Sequence, residues 1–211
     1  KGQHSKSVQY LLASKKMFVS TMGRESLEVG KVAMLRARVE LSRGRFHSAM
    51  NALRKAESIV RNLMGENSVL YGEYLFLFSK QRILVGNYSE GQRFLERSRQ
   101  LVSEKLVHGR VAASNAGKLP PLLCQIFILS ARIHKDFGRF KVAENELDVA
   151  RQSILSSFGE GPILGDILVE ISRVKQAQGR VMVSEKLARY ALVCYSKLDG
   201  DLNPRVAMAK V

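Results

Sequence analysis

Apolar side chains recur at helical spacing in paired stripes, and a glycine separates the two stripes of each pair. In the first complete pair, Val32, Leu35 and Val39 recur at helical spacing, and Gly30 is the only helix breaker between Leu27 and Arg43. After a turn at Gly44, a second stripe follows with the same period. Its members are Ala49, Leu53, Ala56 and Val60. Each such unit predicts two helices joined by a turn, and strand signals are weak throughout.

The paired stripes belong to an internal repeat. Turn glycines occur at Gly44, Gly86, Gly138 and Gly179, at spacings of 42, 52 and 41 residues. Small residues stand seven positions before, five after and twelve after each of these glycines, which allows two helix backbones to approach closely at a crossing. The three columns are Ala37, Ser79, Ala131 and Ser172, then Ala49, Gly91, Ala143 and Ser184, then Ala56, Ser98, Ala150 and Ala191. A second glycine closes three of the four repeats, at Gly65, Gly159 and Gly200.

The repeat frame predicts one array over 1–211. It comprises a half repeat at 1–26, repeats at about 27–68, 69–119, 120–161 and 162–202, and the start of a further helix at 203–211. The long second interval carries a loop insertion near 107–121, rich in Gly, Asn, Ser and Pro. This loop is either a partner-binding excursion or an insertion that the array tolerates. Incomplete repeats at both ends suggest a part of a longer protein.

The motif resembles the tetratricopeptide repeat (TPR), and its period near 42 with a closing glycine is similar to the lengthened TPRs of kinesin light chains. The resemblance implies an all-α fold, a right-handed superhelical solenoid of antiparallel helix hairpins. HEAT or armadillo repeats have a compatible period but do not require this glycine–aromatic–small pattern. The column four before the turn glycine lacks the usual aromatics, and the Asn ladder of kinesin light chains is absent. These two columns read Glu40, Arg82, His134 and Lys175, and Leu35, Leu77, Leu129 and Glu170. The fold is therefore expected to carry over, but not kinesin cargo binding.

Composition adds a strong positive charge to this picture. The 211 residues include 34 Lys and Arg against 19 Asp and Glu, a formal net charge of +15. Such an excess implies an acidic partner, which could be nucleic acid, an acidic protein surface or an anionic membrane. No apolar run approaches the ~18 residues of a membrane span. Two cysteines do not make a disulfide scaffold, so we expect an intracellular, cytoplasmic protein, with an organelle matrix (mitochondrion or plastid) as the alternative.

In proteins of the resembling family, first helices line a concave groove. Here the groove column six before the turn glycine is basic throughout, and the column ten before is apolar. The columns are Arg38, Lys80, Arg132 and Arg173, and Met34, Phe76, Ile128 and Val169. Together they suit a segment of a partner protein in which Asp or Glu alternates with hydrophobic side chains. Alternatively, the bases are solvated or paired with acids of adjacent helices, for which Glu40, Glu73 and Asp166 are available.

A second group of basic residues lies on or after a second helix, on the convex side that the resemblance implies. This group is Arg93, Arg97, Arg99 and Lys105. A convex basic surface could contact RNA phosphate, in which case the protein would be a structural subunit of a ribonucleoprotein.

Residues for catalysis do not cluster in the sequence. The histidines are scattered without metal-ligand spacing, and both cysteines sit in apolar helical contexts that favour a core role. These residues are His4, His47, His108 and His134, with Cys124 and Cys194. We therefore predict no metal, no cofactor and no enzymatic activity. The sequence favours a protein-interaction scaffold that is a subunit of a larger complex.

Overall fold

The computed structural model describes the backbone of residues 2–108 and 121–199 and the side chains of residues 6–104 and 121–196. All regular secondary structure in these ranges is helical, as the repeat predicts. The helices are α1 (Gly2–Met22), α2 (Leu27–Ser42), α3 (Phe46–Met64), α4 (Val69–Leu84), α5 (Tyr88–His108), α6 (Pro121–Asp136), α7 (Phe140–Phe158), α8 (Pro162–Ala177) and α9 (Val181–Asp199).

The turn glycines end the first helix of every hairpin in the same way. At the first hairpin, Gly44 has a φ of 71°, a conformation that residues with a Cβ rarely adopt. The Gly44 amide donates to the Leu41 carbonyl at 3.1 Å, and the Arg45 amide donates to the Glu40 carbonyl at 2.9 Å. This pair of bonds is a Schellman motif, which satisfies carbonyls that the helix end leaves unpaired. The turns at Gly86, Gly138 and Gly179 repeat this pattern.

The small columns lie where the two helices of a hairpin cross. Ala37 on α2 and Ala49 and Ala56 on α3 are fully buried, so these two helices are close along their length. In the next hairpin, Ser79 is also fully buried, and its hydroxyl donates to the Gly91 carbonyl at 2.8 Å. The hairpins α2–α3, α4–α5, α6–α7 and α8–α9 therefore have the close antiparallel packing that the sequence predicts.

The chain divides into two compact units. Unit 1 lies within Lys1–Gly109 and contains α1–α5; unit 2 lies within Arg110–Val211 and contains α6–α9. Inside unit 1, α1 packs against α2 and α3 against α4; inside unit 2, α7 packs against α8. A single hydrophobic core joins both hairpins of unit 2, from Cys124 on α6 to Tyr195 on α9.

Two expectations fall outside the described residues: most of the loop near 107–121, and the further helix at 203–211 with the closing Gly200. The second hairpin departs from its neighbours at its end, because α5 continues to His108 where the other repeats have a closing glycine near that point. None of the described helices is both long and apolar enough to cross a bilayer.

Candidate functional site

Unit 2 brings two of the predicted groove residues together on one carboxylate. Arg132 on α6 and Arg173 on α8 both donate to Oε1 of Glu170, at 2.5 and 2.7 Å. The Glu170 side chain is only 3% exposed, whereas the two arginines are 43% and 48% exposed. Two guanidinium groups therefore share one buried negative charge and together keep a net positive charge at the surface of the first helices.

Unit 1 holds the other two members of the basic column separately. The Arg38 guanidinium on α2 donates to Glu73 on α4 at 2.7 Å, and this pair joins the first helices of consecutive hairpins. Lys80 lies half-buried on α4 in the same column. The Arg38–Glu73 pair is partly exposed on both sides, a setting in which an ion pair contributes about 0–1 kcal/mol.

The sequence left open the alternative that the basic column pairs with acids of adjacent helices. One of the three acids considered forms such a pair. Glu73 does pair with Arg38, as that alternative proposed. The Glu40 carboxylate instead lies 3.8 Å from the guanidinium group of Arg43, the residue that follows α2. Asp166 accepts a hydrogen bond from the Tyr195 hydroxyl at 2.9 Å.

Glu170 was not predicted to be a site residue, although it holds the two arginines together. Its signal was present: Glu170 is the single acid in a column whose other members are Leu35, Leu77 and Leu129. It also stands three residues before Arg173, which places both side chains on one face of α8. A charged residue at an otherwise apolar repeat position indicates a local partner that the rest of the column lacks.

Most of the predicted apolar floor belongs to the core. Met34, Phe76 and Ile128 are 3%, 5% and 8% exposed, so they offer little surface to a ligand. Val169 is half-buried against the core of unit 2. Leu35, which the sequence placed in a core stripe, is instead 45% exposed and lies three residues before Arg38. The accessible apolar surface beside the basic column therefore comes from Leu35 and from Val169, the one member of the predicted floor that is not buried.

The second basic group lies along α5. Arg93 and Arg97 are exposed; Arg93 stacks over the Phe94 ring at 5.2 Å, and Arg97 donates to the Asn67 side chain at 3.2 Å. Arg99 pairs with Glu96 at 3.1 Å. The Lys105 side chain is outside the described part. Two of the three described arginines thus contact neutral groups, and one contacts a carboxylate.

The described part of the chain contains two buried cysteine thiols, Cys124 and Cys194. Burial raises the pKa of the Cys124 thiol to about 11, so this thiol is protonated at neutral pH and is a poor nucleophile. Across the described residues, no three His, Cys, Asp or Glu side chains form a group that could hold a metal ion.

The fold is that of TPR-like repeat proteins. It is similar to the crystal structure of BtubC (BKLC) from P. vanneervenii, with a TM-score of 0.68 and 14% identity over 98% of this chain and 78% of that one. It is also similar to a Podosopora anserina kinesin light chain with nearly identical TPR-like repeats, with a TM-score of 0.55 and 16% identity over 94% of this chain and 90% of that one. A Q17M form of the same protein gives 0.57 and 16%, over 93% and 88%. No protein-family model matches the sequence, and no curated protein matches it.

Proposed function

We propose that the protein is a non-enzymatic protein-interaction scaffold that binds an acidic, partly hydrophobic segment of a partner protein on its first helices. The observation that supports this proposal most is the Arg132–Glu170–Arg173 cluster. One buried carboxylate fixes two exposed arginines, so their remaining N–H groups are oriented before a ligand arrives. Arginine binds carboxylates through two parallel hydrogen bonds, which adds orientation to charge.

The cluster can accept a ligand carboxylate without losing Glu170. The two cations exceed the single anion by one charge, and both arginine side chains are partly exposed, whereas the acid is buried. In unit 1, an incoming carboxylate would share Arg38 with Glu73, whose side chain is 31% exposed and can turn toward water at little cost. Within each unit, hydrophobic side chains of a bound segment would contact an apolar neighbour of the basic column, which is Leu35 in unit 1 and Val169 in unit 2.

Charge reversal at the cluster tests the proposal. We expect Arg132→Glu with Arg173→Glu to abolish recovery of the partner when the full chain is used for affinity purification, because two exposed carboxylates would then repel a ligand acid. The matched control is Arg151→Glu with Arg189→Glu, which makes the same charge change on the second helices α7 and α9. Recovery of the same partners in the same yield with the cluster variant would overturn the proposal.

The ribonucleoprotein subunit is the second candidate function, and the exposure of Arg93 and Arg97 on α5 favours it. Phosphate binding by these residues would make log affinity fall linearly with log salt, and each lost contact would reduce the slope by about 1. RNA binding that Arg93→Glu with Arg97→Glu weakens, and that the cluster variant leaves unchanged, would support this candidate over the first.

A further inference from the structure

A second cationic surface lies in unit 1, on helices different from those of the basic column. Where α1 packs against the first hairpin, an open apolar cleft of about 500 Å³ runs beside Leu12 and Val19 of α1. A smaller lobe of about 90 Å³ adjoins it and continues between α2 and α3, along Val32 and Ala52. α1 packs against α2 but does not cover α3, so the cleft is open to solvent. None of the described side chains of α1 is buried.

Five cations surround this cleft, and neither lobe has an Asp or Glu among the described residues that line it. The five are Lys15, Lys16, Arg24, Arg36 and Lys55. These residues come from three helices and one turn, so it is the fold that places them next to one another. The arrangement differs from the basic column, in which Arg38, Arg132 and Arg173 each have a carboxylate partner.

Burial and the crowding of like charges both act on Lys15. Burial, with the repulsion of Lys55 and Arg36, lowers the pKa of Lys15 below its usual value. On the wall of the smaller lobe, Arg36 has a buried Nε with no hydrogen-bond acceptor within the described part of the chain. A buried donor without an acceptor costs about 1–3 kcal/mol. Both features favour binding of an anion at this position.

We propose that the α1–α3 cleft binds an acidic amphipathic helix of a partner protein. Leu-like side chains on one face of that helix would fill the apolar lobe, and Asp or Glu on both flanks would meet the five cations. A helix can present apolar and acidic side chains in this way. Residues at i, i+4 and i+7 share one face of the helix, and the residues next to them in sequence lie on its flanks. The cleft is a separate site from the Arg132–Glu170–Arg173 cluster and belongs to the other unit.

Other anionic partners fit the cleft less well. RNA phosphates would neutralise the cations but leave Leu12 and Val19 without a partner, and no aromatic side chain lines either lobe in the described residues to stack a base. A lipid acyl chain would fill the apolar lobe but brings one headgroup charge to a rim of five cations. A protein helix supplies apolar and acidic groups together.

Fluorescence anisotropy on the full chain tests the proposal. The probe is a labelled helical peptide with Leu at i, i+3, i+4 and i+7 and Glu on both flanks. We expect Lys15→Glu with Lys55→Glu to weaken binding at least about tenfold, roughly 1.4 kcal/mol. The matched control is Lys6→Glu with Arg54→Glu, two exposed positions of α1 and α3 outside the cleft lining, and we expect a change below about twofold. Leu12→Ser should weaken binding too, since it removes apolar contact without changing charge.

Three results would overturn the proposal: no peptide binding, an equal loss in the control pair, or anionic vesicles or single-stranded RNA that bind through Lys15 and Lys55 while the peptide does not. If the reversed pair does not fold, Lys15→Gln with Lys55→Gln takes its place, with the same direction expected. Arg132→Glu with Arg173→Glu should leave peptide affinity unchanged, so failure at the cleft is distinguishable from failure at the cluster.

Discussion

Single glycines decide how closely the helices of a hairpin pack, and not all of them break a helix. Gly30 reads as a breaker in the sequence, yet α2 runs through it without interruption. A Cβ at Gly30 would lie 3.0 Å from Cγ2 of Ile59 on α3. The same position, fourteen before the turn glycine, is Gly72 in the second repeat and Gly165 in the fourth. The sequence alone did not predict this fourth small column, because a glycine at a helix crossing and a glycine in a turn have the same sequence signature.

We expect Gly165→Ala to destabilise unit 2. The added Cβ would lie 2.4 Å from Cε1 of Tyr195, whose ring is 3% exposed and whose hydroxyl donates to Asp166. Because burial and this hydrogen bond both hold the ring, the overpacking should lower the free energy of unfolding by about 1–3 kcal/mol in urea denaturation.

Gly72→Ala is the matched control for Gly165→Ala. Its nearest atom would be Cγ2 of Val102, at 3.2 Å, and Ala in a helix interior is favoured over Gly by about 1 kcal/mol. We therefore expect a change within about 1 kcal/mol. Equal losses in both variants would show that the Tyr195 contact is not the cause.

At the scale of elements, second helices were easier to predict than first helices. The predicted stripe on α3 is fully buried at Ala49, Leu53, Ala56 and Val60. A second helix keeps one solvated face, so its apolar residues follow a single period. A first helix such as α2 has neighbours on more than one side, and its pattern is blurred: Leu35 fits the period but is exposed, whereas Glu40 is buried. The same ambiguity explains why most of the apolar floor proved to be core.

An ion pair joins consecutive hairpins in unit 2 and should make their packing sensitive to acid. Lys175 on α8 lies 2.7 Å from Glu144 on α7. Burial would raise the pKa of Glu144, but hydrogen bonds from Lys175 and Gln178, with the charges of Lys175 and Arg180, outweigh it and hold the pKa below 4.5. A lowered pKa means that the pair stabilises the fold above pH 4.5 and loses this contribution as pH falls through the folded-state pKa.

We accordingly expect Glu144→Gln to reduce the free energy of unfolding at neutral pH and to lose that effect in acid, measured by urea denaturation across the range below pH 4.5. Glu185→Gln, which removes an exposed pair with Arg189 on α9, is the control and should cost little at any pH. A difference between wild type and Glu144→Gln that is constant with pH would contradict the assignment.

At the scale of the whole molecule, the repeat frame predicted far more of the fold than of the candidate sites. Glycine turns and small columns act through the backbone, and the backbone repeats with the sequence, so hairpins follow directly from spacing. The sites depend on side chains from non-equivalent positions. The column of bases was visible in the sequence, but the carboxylate that organises two of them, Glu170, is specific to one repeat. The α1–α3 cleft combines residues from three helices and a turn, which no single column contains.

The +15 charge also leads to a prediction for the whole chain. With 34 cations and 19 acids, repulsion between like charges exceeds attraction, and most ion pairs of the described residues are exposed enough for their stabilisation to be small. Added salt weakens both the repulsion and the attraction between exposed charges, with a screening length of about 10 Å at 0.1 M. We therefore expect Tm to rise as NaCl increases from low ionic strength, measured by circular dichroism. The rise should be smaller in Lys15→Gln with Lys55→Gln, because that variant lacks part of the repulsion around the cleft.

A Tm that falls with added salt would contradict this prediction. It would mean that attraction within exposed ion pairs, such as Arg38–Glu73, outweighs repulsion between like charges. The cleft cations would then not destabilise the free protein, and an acidic partner would have no such instability to relieve.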